Sequence, residues 1–504
     1  VAAFDLSAGV IYANGEFRTA QSGPRQEVIN PATLETVGRI SLPDAAEIDA
    51  EIARANAAQK DWARVDAKTR AGLLHRIAES IENSDFRGVA ELMTLEMGKP
   101  YAEAVGELAN VAPIFRYYAE MARDNAGHIA GTTQRGSFQY CIAQPYGVSV
   151  HIMPFNFPIL LMAWTVAASL AAGNAAIVKP AESTTFCTLE FMSHFKELPA
   201  GVMTCLTGGA DTARHLIESG GTHVVAFTGG VETGRKVSVA CAEWLKPCVI
   251  EAGGNDAMIV MDSAPLDVAA AGAVTAAFHL SGQICTSAER FFVHDAIHDD
   301  FVAAFAERAS QLRIGNGLGK TEIGPLVNEA ARDKVMALVE DARRQGAQIV
   351  CGGRVPPGFN TGWFYEPTIL TGATPDMTIM KSEVFGPVAA IVRVKSFEEA
   401  MALANDSPYG LGASIFTTRL DEAQRAAEEF QSGMVWVNNP LIDNDALPFG
   451  GWKLSGVGRE LGRQGLEAFR QTKMVIVDHE PAIQSWWYPY PDEAFHPDAG
   501  KGDA

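Results

Sequence analysis

The chain has 504 residues, 47% hydrophobic and 20% charged, with no low-complexity tract, so disorder is not the default and roughly three domains' worth of core is expected. Sixty acidic against forty basic side chains leave a formal charge of −20, which repels a phosphate backbone and an anionic bilayer; no nucleic-acid or membrane partner is expected. Seven cysteines (Cys141, Cys187, Cys205, Cys241, Cys248, Cys285, Cys351) are scattered without a CxxC pair, which is neither a disulfide framework nor a zinc site.

No metal is expected, and a reduced compartment fits the thiols best. The opening VAAFDLSAGVIYANGEF lacks the basic start and long apolar centre of a signal peptide, so a cytoplasmic location is the expectation.

From Pro43 to Glu82, Ile48, Ile52 and Ala55, then Leu73, Leu74, Ile77 and Ile81, recur at helical spacing. A further helix ends in TLEMGKP, where Gly98 and Pro100 supply a stop. GSFQYCIAQPYGVSVHIM then reads as strands around a Pro145-Tyr146-Gly147 turn. The uncharged run ILLMAWTVAASLAAGNAAIV is long enough to span a bilayer, but prolines precede it and Gly173-Asn174 interrupts it. It reads as a buried helix over about Ile159–Ala172 and a strand over Ala175–Lys179.

Beyond it, AAIVKP, VVAFTGG and CVIEAGGNDAMIV alternate with helical stretches, and the theme recurs in FFVHDAIH, AQIVCGG, AAIVRVKSFEEA, ASIFTT and MVWVNN. That order predicts parallel α/β sheets, in two bodies with a boundary near Gly253–Asp262. After Asp478, SWWYPYPDEAFHPD is too rich in proline and aromatics for a helix or an independent core. It is expected as an extended tail on its own body or across a partner subunit.

Cys285 sits in HLSGQICTSAERFFV, between Gly282 and the small pair Thr286-Ser287. A lone cysteine is most often inert core, so its standing depends on helpers elsewhere. A working thiol needs donors for an oxyanion, a base for water and, for redox chemistry, an electron acceptor. Asn156 in MPFNFP is a stiffly held carboxamide, and Glu251 in VIEAGGND is a carboxylate at a strand end before a glycine pair. VVAFTGGVETG runs a strand into Gly229 and Gly230 and then a helix start, which suits a pyrophosphate on free backbone N–H groups. Lys179 and Glu182 in IVKPAE follow a strand, where they could hold ribose hydroxyls. His294 and His298 of VHDAIHDD lie four apart but read as a strand followed by a capped turn, which does not put them on one face.

Together FNFP, KPAE, FTGG, EAGG, GQICTSAER, EVFGP, PFGGWKLSG and GRELG occur in the order of the aldehyde dehydrogenase superfamily, which the chain resembles from NPATLE at Asn30 to QTKMV near Lys473. The resemblance implies an α/β fold of the aldehyde dehydrogenase type. It would have two Rossmann-like domains, NAD-binding over 1–126 and 150–252 and catalytic over 253–453, with a small β oligomerisation element and tail over 127–149 and 454–504. It implies Cys285 as nucleophile, Glu251 as general base and Asn156 as oxyanion donor. Lys179 and Glu182 match contacts to the adenosine ribose, Gly229 and Gly230 the pyrophosphate turn, and Glu383 and Phe385 the nicotinamide ribose and ring. Phe157, Leu161, Trp164, Ile284, Thr286 and Phe449 match the aldehyde tunnel.

Where the family commonly has Ser and Leu, this chain has Gly230 and Ala252, changes that bear on cofactor affinity. The implied reaction is oxidation of an aldehyde to its acid through a cysteine thiohemiacetal and thioester. NAD is favoured over NADP because Glu182 would repel a ribose phosphate. A homodimer or homotetramer is implied. The competing readings are a CoA-acylating enzyme, a branch that typically lacks the glutamate found at Glu251, and a non-catalytic protein of the same fold. Asp443, Asn444 and Asp445 at the expected tunnel mouth predict apolar, aromatic or hydroxylated aldehydes over carboxylate-bearing ones.

Overall fold

The computed structural model describes residues 4–124 and 126–497. The helical stretch after Pro43 divides into Ala45–Trp62 and Ala67–Glu82, each started by an aspartate, Asp44 or Asp66, whose side chain accepts an amide of the first turn. A third helix, Arg87–Met97, stops at Gly98, which takes the left-handed φ of 84° that the TLEMGKP signal called for. The apolar run after Pro154 is the helix Pro158–Ala172, buried along its whole length and closed by Gly173 at φ 101°. Among the described residues no helix is long and apolar enough to cross a membrane.

These helices pack around an eight-stranded sheet in the order Gly456–Val457, Cys248–Glu251, Val224–Thr228, Val148–Ile152, Ala175–Lys179, Met203–Cys205, Val10–Ala13, Glu16–Thr19. The five strands from Cys248–Glu251 to Met203–Cys205 run parallel, with Thr228 opposite Glu251 and Ile152 opposite Lys179. Their near-continuous burial is what a parallel strand covered on both faces requires.

A second sheet has seven strands, ordered Gln348–Cys351, Thr368–Thr371, Val388–Val394, Ala288–His294, Asp256–Val260, Gly412–Phe416, Met434–Val437. All but the first pair in parallel. The chain passes from one sheet to the other between Glu251 and Asp256, inside the EAGGND stretch.

Two compact units result. One comprises residues 4–124 and 145–470 and holds both of these sheets. The other comprises residues 126–144 and 471–497 of the described chain and holds a three-stranded sheet of Gly127–Ile129, Ser137–Pro145 and Arg470–Asp478. The smaller unit is narrower than the oligomerisation element expected over 127–149 and 454–504. Val148–Ile152, buried throughout, and Gly456–Val457, at the sheet's edge, pair into the eight-stranded sheet instead.

Candidate active site

The parallel strands of the first sheet release the chain at their carboxyl ends, where α/β sheets keep their ligand crevices. Asn156 follows Val148–Ile152, Lys179 closes its strand, Gly229 and Gly230 follow Val224–Thr228, and Glu251 is the last residue of Cys248–Glu251. The second sheet contributes from the opposite ends: Cys285 precedes Ala288–His294, and Glu383 and Phe385 precede Val388–Val394. One cavity of about 330 Å³ is lined from both sides, by Asn156, Gly229, Gly230 and Glu251 and by Cys285, Glu383 and Phe385. Residues as far apart in sequence as Asn156 and Phe385, 229 positions, thus share one space.

Cys285 is half-buried, and its thiol is pushed well above the ordinary range first by burial and then by the carboxyls of Glu251, Asp256, Glu383 and Asp443. Asn156 is buried and its Nδ2 donates to the Gln283 carbonyl at 3.0 Å, which turns the amide nitrogen toward the cysteine loop. One of its two N–H hydrogens is so committed, and the other is available to an oxyanion.

Glu251 is 2% exposed, and neither of its oxygens makes a well-formed hydrogen bond. Gly450 and Gly456 leave the room it occupies, since a Cβ on either would stand 2.8 or 3.4 Å from Oε1. Burial raises its pKa well above the carboxylate range, and the neighbouring Glu460 raises it further; Gly451 N–H and Arg459 offset this in part. Glu460 is equally buried, lines the same cavity and has its own pKa pushed up to about 8. The cavity thus raises the pKa of Cys285, Glu251 and Glu460 alike, with burial the largest cause for each.

The groove that could take a dinucleotide begins at Gly229 and Gly230, which open the Val231–Glu243 helix. A Cβ at Gly229 would stand 2.6 Å from the Phe227 ring, so this turn needs glycine, whereas nothing lies within 4 Å of one at Gly230. The absent serine hydroxyl at Gly230 is therefore not a steric demand of this fold. Lys179 is buried and its Nζ donates to the Pro180 and Gly208 carbonyls at 2.9 and 2.8 Å, with Glu182 Oε2 at 3.9 Å. Glu383 accepts from Gly254 N–H at 3.0 Å, and burial pushes its pKa up to about 8. A second hollow of about 360 Å³ continues from Gly230 past Glu232 and Arg235 to Glu383, and Lys334 borders both. Free N–H groups at a helix start, a carboxyl for ribose hydroxyls and a ring at Phe385 are a donor set that fits a nicotinamide dinucleotide.

Of the expected tunnel residues, Leu161 and Phe449 line the inner cavity. Trp164 lines an outer one of about 530 Å³ with Leu160, Leu441, Asp443 and Asp445, and its ring lies 4.7 Å from that of Phe449, which joins the two. Phe157, Ile284 and Thr286 stand in neither lining: Phe157 lies under the Lys99 ammonium at 4.0 Å, and Ile284 and Thr286 are buried. Asp443 is exposed on the outer cavity's rim, where loss of solvent around its carboxyl pushes its pKa up to about 6.

Glu460 of GRELG, between Arg459 and Leu461, carries no sequence signal that sets it apart from a surface acid. Lys334 has none either, since DKVMALVEDARR reads as an ordinary amphipathic helix. His294 ends its strand and His298 opens the His298–Ser310 helix. Among the described residues no group of three or more His, Cys, Asp or Glu converges to hold a metal.

The model of the aldehyde dehydrogenase family matches residues 17–475. Betaine aldehyde dehydrogenase of Bacillus subtilis is 35% identical over 485 residues, 95% of this chain and 99% of that protein. Glutarate-semialdehyde dehydrogenase of Pseudomonas putida is 37% identical over 471 residues, 92% and 97% of the two chains. Among solved structures, betaine aldehyde dehydrogenase of Staphylococcus aureus in complex with NAD+ superposes with a TM-score of 0.92 at 30% identity, covering 96% of this chain and 97% of that one. An NADP-dependent enzyme of Escherichia coli gives 0.90 at 35% identity, covering 94% and 98%. With its cysteine, its buried glutamates and its glycine turn on one cavity, this chain belongs to the aldehyde dehydrogenase family.

Proposed function

We propose that the protein oxidises an aldehyde to its carboxylic acid with NAD, through a covalent intermediate on Cys285. The observation that carries this is the convergence of Cys285, Glu251 and Asn156 on one cavity that opens onto the glycine turn. Cys285, as the thiolate formed when its S–H proton passes to water, bonds through sulfur to the aldehyde carbon as the C=O electrons move to oxygen, where Asn156 Nδ2 and the Cys285 N–H stabilise the charge. When bound, the nicotinamide supplies the acceptor for the hydride whose loss leaves a thioester. Glu251, once ionised, removes a proton from water; the water oxygen bonds to the thioester carbon, and Cys285 leaves as thiolate. Gly229, Gly230, Lys179, Glu182, Glu383 and Phe385 are the residues assigned to hold the cofactor. The lone carboxylate of Glu182 supports NAD over NADP.

The rings of Trp164 and Phe449, with Asp443 and Asp445 outside them, support apolar, aromatic or hydroxylated aldehydes over carboxylate-bearing semialdehydes. The glutarate-semialdehyde relative is the competing reading. Free thiols at every cysteine support a reducing, cytoplasmic location, and assembly into a dimer or tetramer is part of the same reading.

The test is reduced-nicotinamide formation from hexanal, benzaldehyde, betaine aldehyde and succinic semialdehyde, with NAD or NADP, for the protein and for Cys285→Ala. Turnover with NAD that is lost in the variant, and is weakest on succinic semialdehyde, is the expected result. Comparable efficiency on succinic semialdehyde and benzaldehyde overturns the substrate reading. No turnover by folded protein overturns the reaction.

A further inference from the structure

The Tyr101–Ala109 helix lines neither cavity, yet two of its carboxylates hold the two halves of the site. Glu107 is buried, and its Oε1 accepts the Ile159 and Leu160 amides at 2.8 and 3.0 Å while its other oxygen pairs with the buried Lys99 ammonium. Those amides belong to the first turn of the Pro158–Ala172 helix, whose own N-cap residue, Phe157, supplies no capping side chain. Glu107 therefore caps that helix from outside it, directly after Asn156.

Glu103 lies one turn earlier on the same face. Its Oε2 accepts the Leu280 amide at 3.1 Å, and its Oε1 stands 3.2 Å from His279 Nδ1. Leu280, Ser281 and Gly282 all have left-handed φ, at 52°, 55° and 70°, a run that side-chain-bearing residues hold only when the surroundings impose it. This run delivers the Gln283 carbonyl to Asn156 Nδ2 and, two residues on, Cys285.

We propose that Glu103 and Glu107 are positioning residues: the Tyr101–Ala109 helix sets the register between Asn156 and Cys285, so that both donors meet one oxyanion. The proposal rests on the oxyanion reading of Asn156 given above. It separates from a general role in stability because a register is felt only through Asn156.

The test compares two double variants, each freed of the buried ammonium. Lys99→Met with Glu107→Gln keeps an acceptor for the Ile159 and Leu160 amides, and Lys99→Met with Glu107→Leu removes it. We expect the Leu pair to turn over about tenfold more slowly than the Gln pair with KM within about twofold, and this difference to fall below about twofold when Asn156→Ala is added to both. A difference that persists in full in the Asn156→Ala background, where Asn156→Ala alone lowers kcat, overturns the register and leaves the oxyanion reading standing. An unchanged kcat in Asn156→Ala alone overturns both.

Should the Leu pair fail to fold, Glu103 carries the same comparison, because Glu103→Gln keeps the Leu280 acceptor and Glu103→Ala does not. There kcat is expected to differ about threefold, again only while Asn156 is present. Equal rates for the two Glu103 variants overturn the proposal.

Discussion

Two buried acids, Glu251 and Glu460, share the wall of one cavity, and Glu460 makes Glu251 harder to ionise. The base must therefore lose its proton against both burial and a neighbour, so thioester hydrolysis gains with rising pH. Replacing Glu460 by Gln removes the like charge, and the acid limb of the deacylation rate is expected to move to lower pH, measured by single-turnover kinetics from pH 6 to 9. Stability gives a second reading with a definite sign. The folded pKa of Glu460, about 8, stands above its ordinary 4.5, so the folded state binds the extra proton between those values. Stability is then full below the lower value and is lost as pH rises through the upper one. Glu460→Gln is accordingly expected to melt higher than the parent at pH 8, with the gap closing toward pH 5. A melting difference independent of pH contradicts that assignment. Cys285, Glu251 and Asn156 were singled out in sequence because the motifs around them, each weak alone, form a specific ordered set, and Glu460 was not because pairing of two acids is a property of the folded chain alone.

At the level of single elements, strands and helices were read most securely where glycine or proline punctuates them. Gly98 and Gly173 both take left-handed conformations at the helix ends expected of them. The hairpin of Val10–Ala13 and Glu16–Thr19 was passed over, although Asn14-Gly15, at φ 58° and 84°, is the two-residue turn such hairpins prefer. The cofactor turn offers a contrast between neighbouring glycines. Gly229→Ala drives a methyl into the Phe227 ring, so a loss of several degrees in Tm and a higher KM for NAD are expected. Gly230→Ser meets open space, so Tm is expected to stay within about 1 °C. Thermal melts and NAD titrations of the two variants check both expectations; equal damage from the two would contradict the steric account.

Across the whole molecule, the carboxyl edge of one parallel sheet and the amino edge of the other bound the same cavity. Sequence reading reached the two sheets through the alternation of apolar and helical stretches, and it reached their meeting only through resemblance, because no local pattern encodes a distance between Glu251 and Cys285. The smaller unit exposes Met474, Ile476, Ile483, Trp486, Trp487 and Tyr488. A chain ending at Asp478 is expected to lose assembly, measured by light scattering; an unchanged mass would refute a role for the tail there.

The central claim is that Cys285 carries the acyl group and Glu251 releases it. Intact-mass and peptide analysis of Glu251→Gln, mixed with an aldehyde substrate and NAD, tests it most directly. The account predicts a burst of about one equivalent of reduced nicotinamide per chain, then a stall, with the acyl mass on the Cys285 peptide. Steady turnover without a burst, or an adduct on any other residue, would contradict it.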